Sequence, residues 1–445
     1  FCFFNILKMT IQEIHKIFLN CKSVVIDTRK IESNSLFVAI KGERFDANTF
    51  AKEAIEKGAS YVIIDNAAYY INDKTILVKN SLETLQELAS YHRKYLNVPI
   101  IALTGSNGKT TTKELINVVL AKKYNTKATV GNLNNHIGVP LTLLSFSAKT
   151  EIGIVEMGAN HQKEIEFLCK IAQPDYGYIT NFGKAHLEGF GGIEGVVKGK
   201  SEMYAFLRSN HKKVFVNYDD AIQVANSKDI ETIAFSQIDT SAFTYIKSIT
   251  ANPLVTVDFE DTIVKSHLIG LYNANNINAA ISIGKYFNVA NNDIKIAIEH
   301  YIPENNRSQL LTKGSNEIIL DAYNANPSSM KVALENFIQL ETRGKAELSE
   351  AKDNKLIIIG DMFELGAESL VEHKSIVDGL LNQNQIECCF VGNDFYTNKV
   401  DTTNFNFFKT FDDFSDFLKN RKIENRMILI KGSRGMALER TLELL

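Results

Sequence analysis

Short apolar runs recur along the chain, and each breaks into a polar or glycine-rich loop. They include Val98 to Leu103, Glu151 to Val155, Tyr176 to Thr180, Glu317 to Asp321, Leu356 to Ile359, Cys389 to Val391 and Met427 to Ile430. Runs this short, apolar on both faces, predict buried strands of a parallel sheet. Segments with helical spacing, such as Thr110 to Leu120, lie between them. The alternation predicts an α/β fold whose sheets are covered on both faces.

The same pattern divides the chain into three parts. Residues 1–97 read as a small N-terminal α/β unit. Its predicted strands are Ser23 to Arg29, Ser35 to Ile40 and Ala59 to Asp65. A helix is expected over Asn48 to Lys57, capped by Gly58, and another over Ser81 to Tyr95, before a boundary at Val98-Pro99. Residues 98–308 read as a central unit with a mainly parallel sheet, and short alternating segments over 211–265 suggest an antiparallel excursion within it. A turn over 303–308 leads to residues 309–445, a second doubly wound unit, in which Glu341 to Asn354 reads as a solvated linker and Asn326-Pro327 as a helix start.

One junction carries chemistry. The strand ending at Leu103 runs into Thr104-Gly105-Ser106-Asn107-Gly108-Lys109-Thr110-Thr111 and then a helix. Glycines let backbone N–H groups wrap an anion, and the helix N-terminus adds its positive dipole end. Lys109 can reach β- and γ-phosphates, and the Thr110 hydroxyl can ligate Mg²⁺. The usual loop of this type is G-x-x-x-x-G-K-[ST]; here Leu103 stands six before Lys109, and Gly105 lies only three before Gly108. The loop is short, which points to a subgroup of nucleotide enzymes.

Other polar positions gather at predicted strand ends. Glu156, at the tip of its strand, reads as a Mg²⁺ ligand by analogy with Walker-B acids, or as a capping residue. His186 lies in a polar loop, open to metal ligation or to core packing. Lys198 and Lys200 are expected at the head of a helix, where they oppose its dipole; nearby phosphates would explain them, and so would a solvated surface pair. Asp27, Thr28 and Arg29, with Gly42 and Asp46, suit a polar ligand at a sheet edge or a salt-bridged loop. In the asparagine-rich helix after Gly270, at least one Asn is expected to bond outside the helix.

Composition narrows the field without changing it. Net charge is −3 over 445 residues and no long basic run exists, so nothing favours nucleic acid or an anionic membrane. No apolar stretch reaches the ~20 residues of a membrane span. The apolar start Phe1 to Lys8 is too short and too poor in charge for a signal peptide, and is expected to be an extension upstream of Met9. The five cysteines show no metal spacing; Cys388-Cys389 reads as core packing, and the set fits a reducing cytosol.

The short loop resembles the nucleotide loop of the Mur ligase family. Further blocks match in order from about residue 10 to the C-terminus: Asp27-Thr28-Arg29 with Leu36-Phe37, Gly42 and Asp46; Gly131 to Pro140; Glu156 to Ala159; Thr180 to Gly189; Asp321 to Pro327; Gly360 to Ala367; and Lys431 to Arg434. They resemble the branch that adds D-alanyl-D-alanine to a UDP-N-acetylmuramoyl-tripeptide. The resemblance implies an N-terminal domain for the UDP end, a central ATPase and a mobile Rossmann-like C-terminal domain. It implies a cytoplasmic enzyme of peptidoglycan synthesis, working with ATP and two Mg²⁺ ions through an acyl phosphate; a monomer is expected, though the sequence does not itself disclose the oligomeric state.

Carried over by position, the resemblance puts Thr104 to Thr111 around the phosphates and Thr110 and Glu156 on one Mg²⁺. His186 falls to the second ion, with Lys200 as a carbamylated ligand. Asn273 and Asn276 face the adenine, and Arg307 and Asp321 the ribose and phosphates. Asn134 and Asn135 touch the peptide-bearing substrate, and Asp27, Thr28, Arg29, Gly42 and Asp46 serve its nucleotide end. Asn324, Asn326, Lys431, Ser433 and Arg434 come from the closing domain. Three positions depart from the family: Tyr272 and Asn48 stand where it usually has His, and Thr28 where it usually has Ser. The rivals are the ligase that adds the third peptide residue, whose Asp-Asn-Pro-Arg motif is absent, and a P-loop kinase or switch.

Overall fold

A computed structural model describes residues 9–303, 306–340, 354–419 and 421–445. The upstream extension, Cys2, the Glu304-Asn305 part of the predicted turn and residues 341–353 of the predicted linker lie outside the described residues. Three sheets organise the rest.

The first is a parallel sheet of Ser23–Val25, Ser35–Val38, Ala59–Ile64 and Thr75–Leu77, in that order. The Ser23 strand is shorter than its apolar pattern suggests. Asp27 accepts the Arg29 N–H at 3.0 Å and caps a 3₁₀ turn over Thr28–Lys30, which competes with the ladder. The next helix likewise opens as a 3₁₀ turn, Ala47–Phe50, capped by Asp46, before turning α over Ala51–Glu56. Helix Ser81–Leu96 is capped by Asn80, which accepts the N–H groups of Leu82 and Glu83 at 2.9 and 3.0 Å.

The second sheet has nine strands. Its order runs Thr262–Ile269, Leu254–Phe259, Thr244–Ala251, Glu231–Ser236, Lys213–Asn217, Tyr176–Ile179, Ile100–Thr104, Ile152–Glu156, Thr126–Ala128. Antiparallel pairing begins only at Thr244–Ala251; the Lys213 and Glu231 strands pair parallel, which corrects the excursion expected from residue 211. Central placement puts the tips of three adjacent strands together, carrying Thr104, Glu156 and the Thr180 loop.

Two helix expectations also change. Pro140, expected from the sequence to stand just ahead of a helix, lies inside helix Gly138–Leu144, in the first turn, where its missing N–H has no intrahelical role. Lys198 and Lys200 sit in the last turn of helix Ile193–Lys200, where cations complement the dipole, so no anion is required to explain them.

The third sheet orders Gln309–Lys313, Asn316–Asp321, Met427–Lys431, Lys355–Gly360, Glu387–Val391 and Phe405–Phe408, all parallel except the first, an antiparallel edge. Register sets Asp321 beside Lys431. Asn326 caps helix Pro327–Gln339 as expected. Cys388 and Cys389 are buried free thiols within their strand, and burial pushes both thiols up.

Candidate active site

The loop between strand Ile100–Thr104 and helix Lys109–Leu120 depends on two glycines. Gly105 holds φ +143° and packs so close to Thr180 that a Cβ would lie 2.0 Å from its Oγ1. Gly108 holds φ +80°, and a Cβ there would lie 2.5 Å from Asn276 Oδ1. No side chain caps the helix, so its first N–H groups have no partner within it and point into the loop's hollow. The neighbouring strand's loop fixes the rest: Asn181 accepts the Ser106 N–H on its carbonyl and the Asn107 N–H on Oδ1, both at 3.1 Å. Thr180 Oγ1 donates to the Asn107 carbonyl at 2.6 Å.

Lys109 folds over this hollow, donating to the Gly105 and Ser106 carbonyls at 2.7 and 3.1 Å. Burial, with the charge of Arg307 adding to it, lowers its pKa to about 8 against the pull of Glu156. An anion placed in the hollow would offer Lys109 a better partner than two carbonyls.

Glu156 lies at the mouth of the loop, 1% exposed. Its Oε1 accepts from Asn134 at 2.8 Å and from Thr110 Oγ1 at 3.3 Å, while Oε2 is buried without a partner. A buried carboxylate oxygen left open beside a hydroxyl is a hard-oxygen donor set that suits Mg²⁺. Among the described residues, no three His, Cys, Asp or Glu side chains gather around one metal position. Lys200 is 1% exposed and donates to the Ala159 carbonyl at 3.0 Å. Burial, then the charge of Lys109, pushes its amine well below the usual lysine range, against Glu164 and Glu202. His186 Nδ1 lies against the Glu364 carboxylate of the third sheet's unit.

On the far side, Asn276 accepts from Thr112 Oγ1 at 2.9 Å and donates to Asn273 at 2.8 Å, so it does bond outside its helix. Tyr272 hydroxyl meets Ser308 Oγ at 2.8 Å. Arg307 stacks 3.6 Å from the Tyr323 ring centroid. Asp321 accepts the Ser308 N–H at 3.2 Å and pairs with the buried Lys431.

These groups line one cavity of about 1340 Å³. Ser106 to Thr111, Asn134, Asn135, Glu156, His186, Asn273, Asn276, Arg307, Asp321, Asn324 and Lys431 all face it. Thr104, Gly105 and Lys200 do not line it; Lys200 bonds instead to the carbonyl of the lining residue Ala159. Asn326 reaches the loop directly, donating to Asn107 Oδ1 at 2.7 Å. Ser433 instead accepts the Phe363 N–H at 2.9 Å, and Arg434 lies 5.6 Å over Tyr323 beside Glu439. Asp27, Thr28, Arg29, Gly42 and Asp46 do not line the cavity. Arg29 holds Asp27 at 2.7 Å and lowers its pKa to about 2, and Asp46 accepts from the buried Asn48 at 2.6 Å. The N-terminal unit sends Asn80, Glu83 and Gln86 to the cavity instead. Sequence reasoning missed these, along with Asn181, Tyr323 and Ser328; the polar face of helix Ser81–Leu96 was the available signal.

The chain is similar to known proteins along most of its length. The Mur ligase middle domain matches residues 103–284, and the Mur ligase family catalytic domain matches residues 20–93. A relative from Bacillus subtilis, UDP-N-acetylmuramoyl-tripeptide--D-alanyl-D-alanine ligase, is 32% identical over 426 residues, covering 94% of this chain and 91% of its own. The Haemophilus influenzae protein of the same name is 32% identical, covering 93% and 91%. A crystal structure of MurF from Acinetobacter baumannii superposes with a TM-score of 0.83 at 28% identity, over 98% of this chain and 97% of that one. MurF ligase from Thermotoga maritima in complex with ADP gives 0.80 at 26%, over 96% and 97%. With fold, loop and relatives in agreement along nearly its whole length, the chain belongs to the Mur ligase family.

Proposed function

We propose that this chain joins D-alanyl-D-alanine to UDP-N-acetylmuramoyl-tripeptide with hydrolysis of ATP, the last cytoplasmic step in making the peptidoglycan pentapeptide precursor. One observation carries the reading: all three units contribute walls to a single cavity whose floor is the phosphate loop. Its volume exceeds the roughly 300–1,000 Å³ of single-ligand pockets, as a site for a nucleotide and two peptides requires.

The chemistry follows from the groups present. A carboxylate is a poor electrophile because its leaving group would be oxide; phosphorylation by ATP supplies a better one. Lys109 and the loop N–H groups hold the β- and γ-phosphates and offset the charge that spreads over them in transfer. Thr110 and Glu156 would hold one Mg²⁺, which supplies further positive charge to the transferring group. His186 and Lys200 would hold a second. For Lys200 this needs carbamylation, since an ammonium is no ligand, and its lowered pKa favours the neutral amine which that modification requires. His186 would have to leave Glu364.

Asn273 and Asn276 take the adenine side, Arg307 and Asp321 the ribose and phosphates, and Asn134 and Asn135 the peptide-bearing substrate. Asp27, Thr28, Arg29, Gly42 and Asp46, outside the cavity, take the uridine end of a long substrate that enters between the units. Asn324, Asn326, Lys431, Ser433 and Arg434 belong to the part that closes. In this reading the units are 1–97, 98–308 and 309–445, and the enzyme acts as a cytoplasmic monomer. No helix among the described residues is long and apolar enough to cross a membrane.

The test is product formation. Purified chain given ATP, Mg²⁺, the UDP-tripeptide and D-alanyl-D-alanine should yield the UDP-pentapeptide with one phosphate per amide bond. ATP turnover indifferent to the dipeptide would refute the ligase reading.

A further inference from the structure

The loop Asn181 to Leu187 touches two parts of the molecule at once. Inward, it holds the phosphate loop: Ser106 Oγ donates to the Gly183 carbonyl at 2.7 Å, and Asn181 accepts the Asn107 N–H at 3.1 Å. Outward, it meets the C-terminal unit. The Lys184 N–H donates to Ser328 Oγ at 2.8 Å, and Lys184 Nζ donates to Glu372 Oε1 at 2.5 Å. Gly183 fits between the two, since a Cβ there would lie 3.1 Å from both Asn107 Nδ2 and Ser328 Cβ.

Glu372 is an unusual partner for a surface lysine. Its side chain is only 11% exposed, while that of Lys184 is 48% exposed. It sits in the first turn of helix Ser369–Leu380, next to His373. His373 is fully buried; its Nδ1–H donates to the Ser369 carbonyl at 2.7 Å, and its Nε2 accepts the Met362 N–H at 2.9 Å. That bond fixes the Gly360–Gly366 loop, which carries Glu364, the partner of His186. One helix turn therefore grips the same loop twice, through Glu372 to Lys184 and through His373 and Met362 to Glu364.

We propose that Lys184 and Glu372 are positioning residues that latch the C-terminal unit over the occupied phosphate loop, so that nucleotide binding and docking of that unit are coupled through the Asn181–Leu187 loop. Neither side chain lines the cavity. The latch rests on the ligase reading for what it coordinates, and on geometry alone for its existence. A ligand that orders the phosphate loop orders Asn181 and Gly183, and these set where Lys184 stands. Loss of the pair lowers the closed fraction, and apparent affinity for whatever binds only the closed form falls with it. The pair joins opposite charges in partial contact with water, so salt weakens it.

The test uses charge exchange in the full chain: Lys184→Glu, Glu372→Lys, the double exchange, and Glu372→Gln as the mildest change. Small-angle scattering with a non-hydrolysable ATP analogue reads closure directly. The singles should show a larger radius of gyration than wild type, and the double exchange should restore it. In turnover, the singles should raise KM for D-alanyl-D-alanine about three- to tenfold and weaken ADP binding in the same direction, because the coupling is reciprocal, again with recovery in the double. Glu372→Gln should fall between, and wild type should lose part of its advantage at high salt. Singles that scatter and turn over as wild type would overturn the latch, as would a double exchange no better than either single. If wild type makes no pentapeptide, the ligase reading fails, while the scattering arm still decides the latch.

Discussion

The phosphate loop and the Asp27–Arg29 turn both follow strands and both carry groups fit for an anion, yet the first lines the three-unit cavity and the second does not. The difference lies in where their polar groups are spent. In the loop, backbone N–H groups at an uncapped helix start are held open by Asn181 and Thr180 from the next strand. In the turn, Arg29 and Asp27 satisfy each other in the open, with the Arg29 side chain 85% exposed. Held donors around a hollow make a site that stands ready; paired side chains must first be separated.

The largest expected effect breaks the comparison most cleanly. Lys109→Ala should lower kcat/KM about a thousandfold, the scale for loss of a charged group that stabilises a transferring phosphoryl. Arg29→Ala should leave kcat unchanged and raise KM for the UDP-tripeptide no more than about fivefold, as for an exposed ion pair. Steady-state kinetics of the two variants side by side decide it. Equal losses would mean that the two regions do the same work.

Next comes Gly108→Ala. Its φ of +80° and the approach of Asn276 oppose any side chain. ADP binding by calorimetry should weaken about 10- to 100-fold, combining backbone strain with displacement of Asn276. Unchanged ADP affinity would show that the hollow is not the nucleotide site.

In the N-terminal unit the expected losses are of stability instead. Asn48 is buried and donates to Asp46 and Asp65 at 2.6 and 2.8 Å, while accepting the Asp65 N–H at 3.0 Å. Asn48→Ala should cost about 1–3 kcal/mol in denaturant unfolding, because it strands these partners. ADP affinity should not move.

The smallest effect is a pH dependence. His92 Nε2–H donates to the Phe146 carbonyl at 3.1 Å, and its Nδ1 accepts from His15 at 3.0 Å, a neutral buried chain. Burial, then His92, holds His15 at about 4, and burial lowers His92 also. The unfolded chain takes up protons near 6.5, before the folded one, so this stability is full above pH 6.5 and is lost as pH falls toward 4. Melting temperature should drop over that window, and His15→Phe should flatten the drop.

Much of the fold was legible because its signals are local. Apolar runs gave the strands, and Asn326-Pro327 gave a helix start. The errors arose where tertiary context decides. Lys213–Asn217 fell among the short segments of 211–265 expected to pair antiparallel, yet it is covered by helix Ala274–Tyr286 and pairs parallel. Lys200 read as the head of a helix because Ser201 interrupts two helices, and the chain before Lys198 carries few cues to the first. At the site, the loop announced itself by spacing. Asn181 and Lys184 act through contacts across more than seventy residues or between units, and Glu83 reaches the cavity from a separate unit; no local pattern encodes such distances.

In the proposed reaction the carboxylate of the UDP-tripeptide is phosphorylated over the Lys109 loop before the amine attacks. Isotope transfer tests it most directly. With ¹⁸O in that terminal carboxylate, the phosphate released by the complete reaction should carry one ¹⁸O, taken when the amine expels it. Phosphate free of the label, alongside full formation of the amide, would contradict the account.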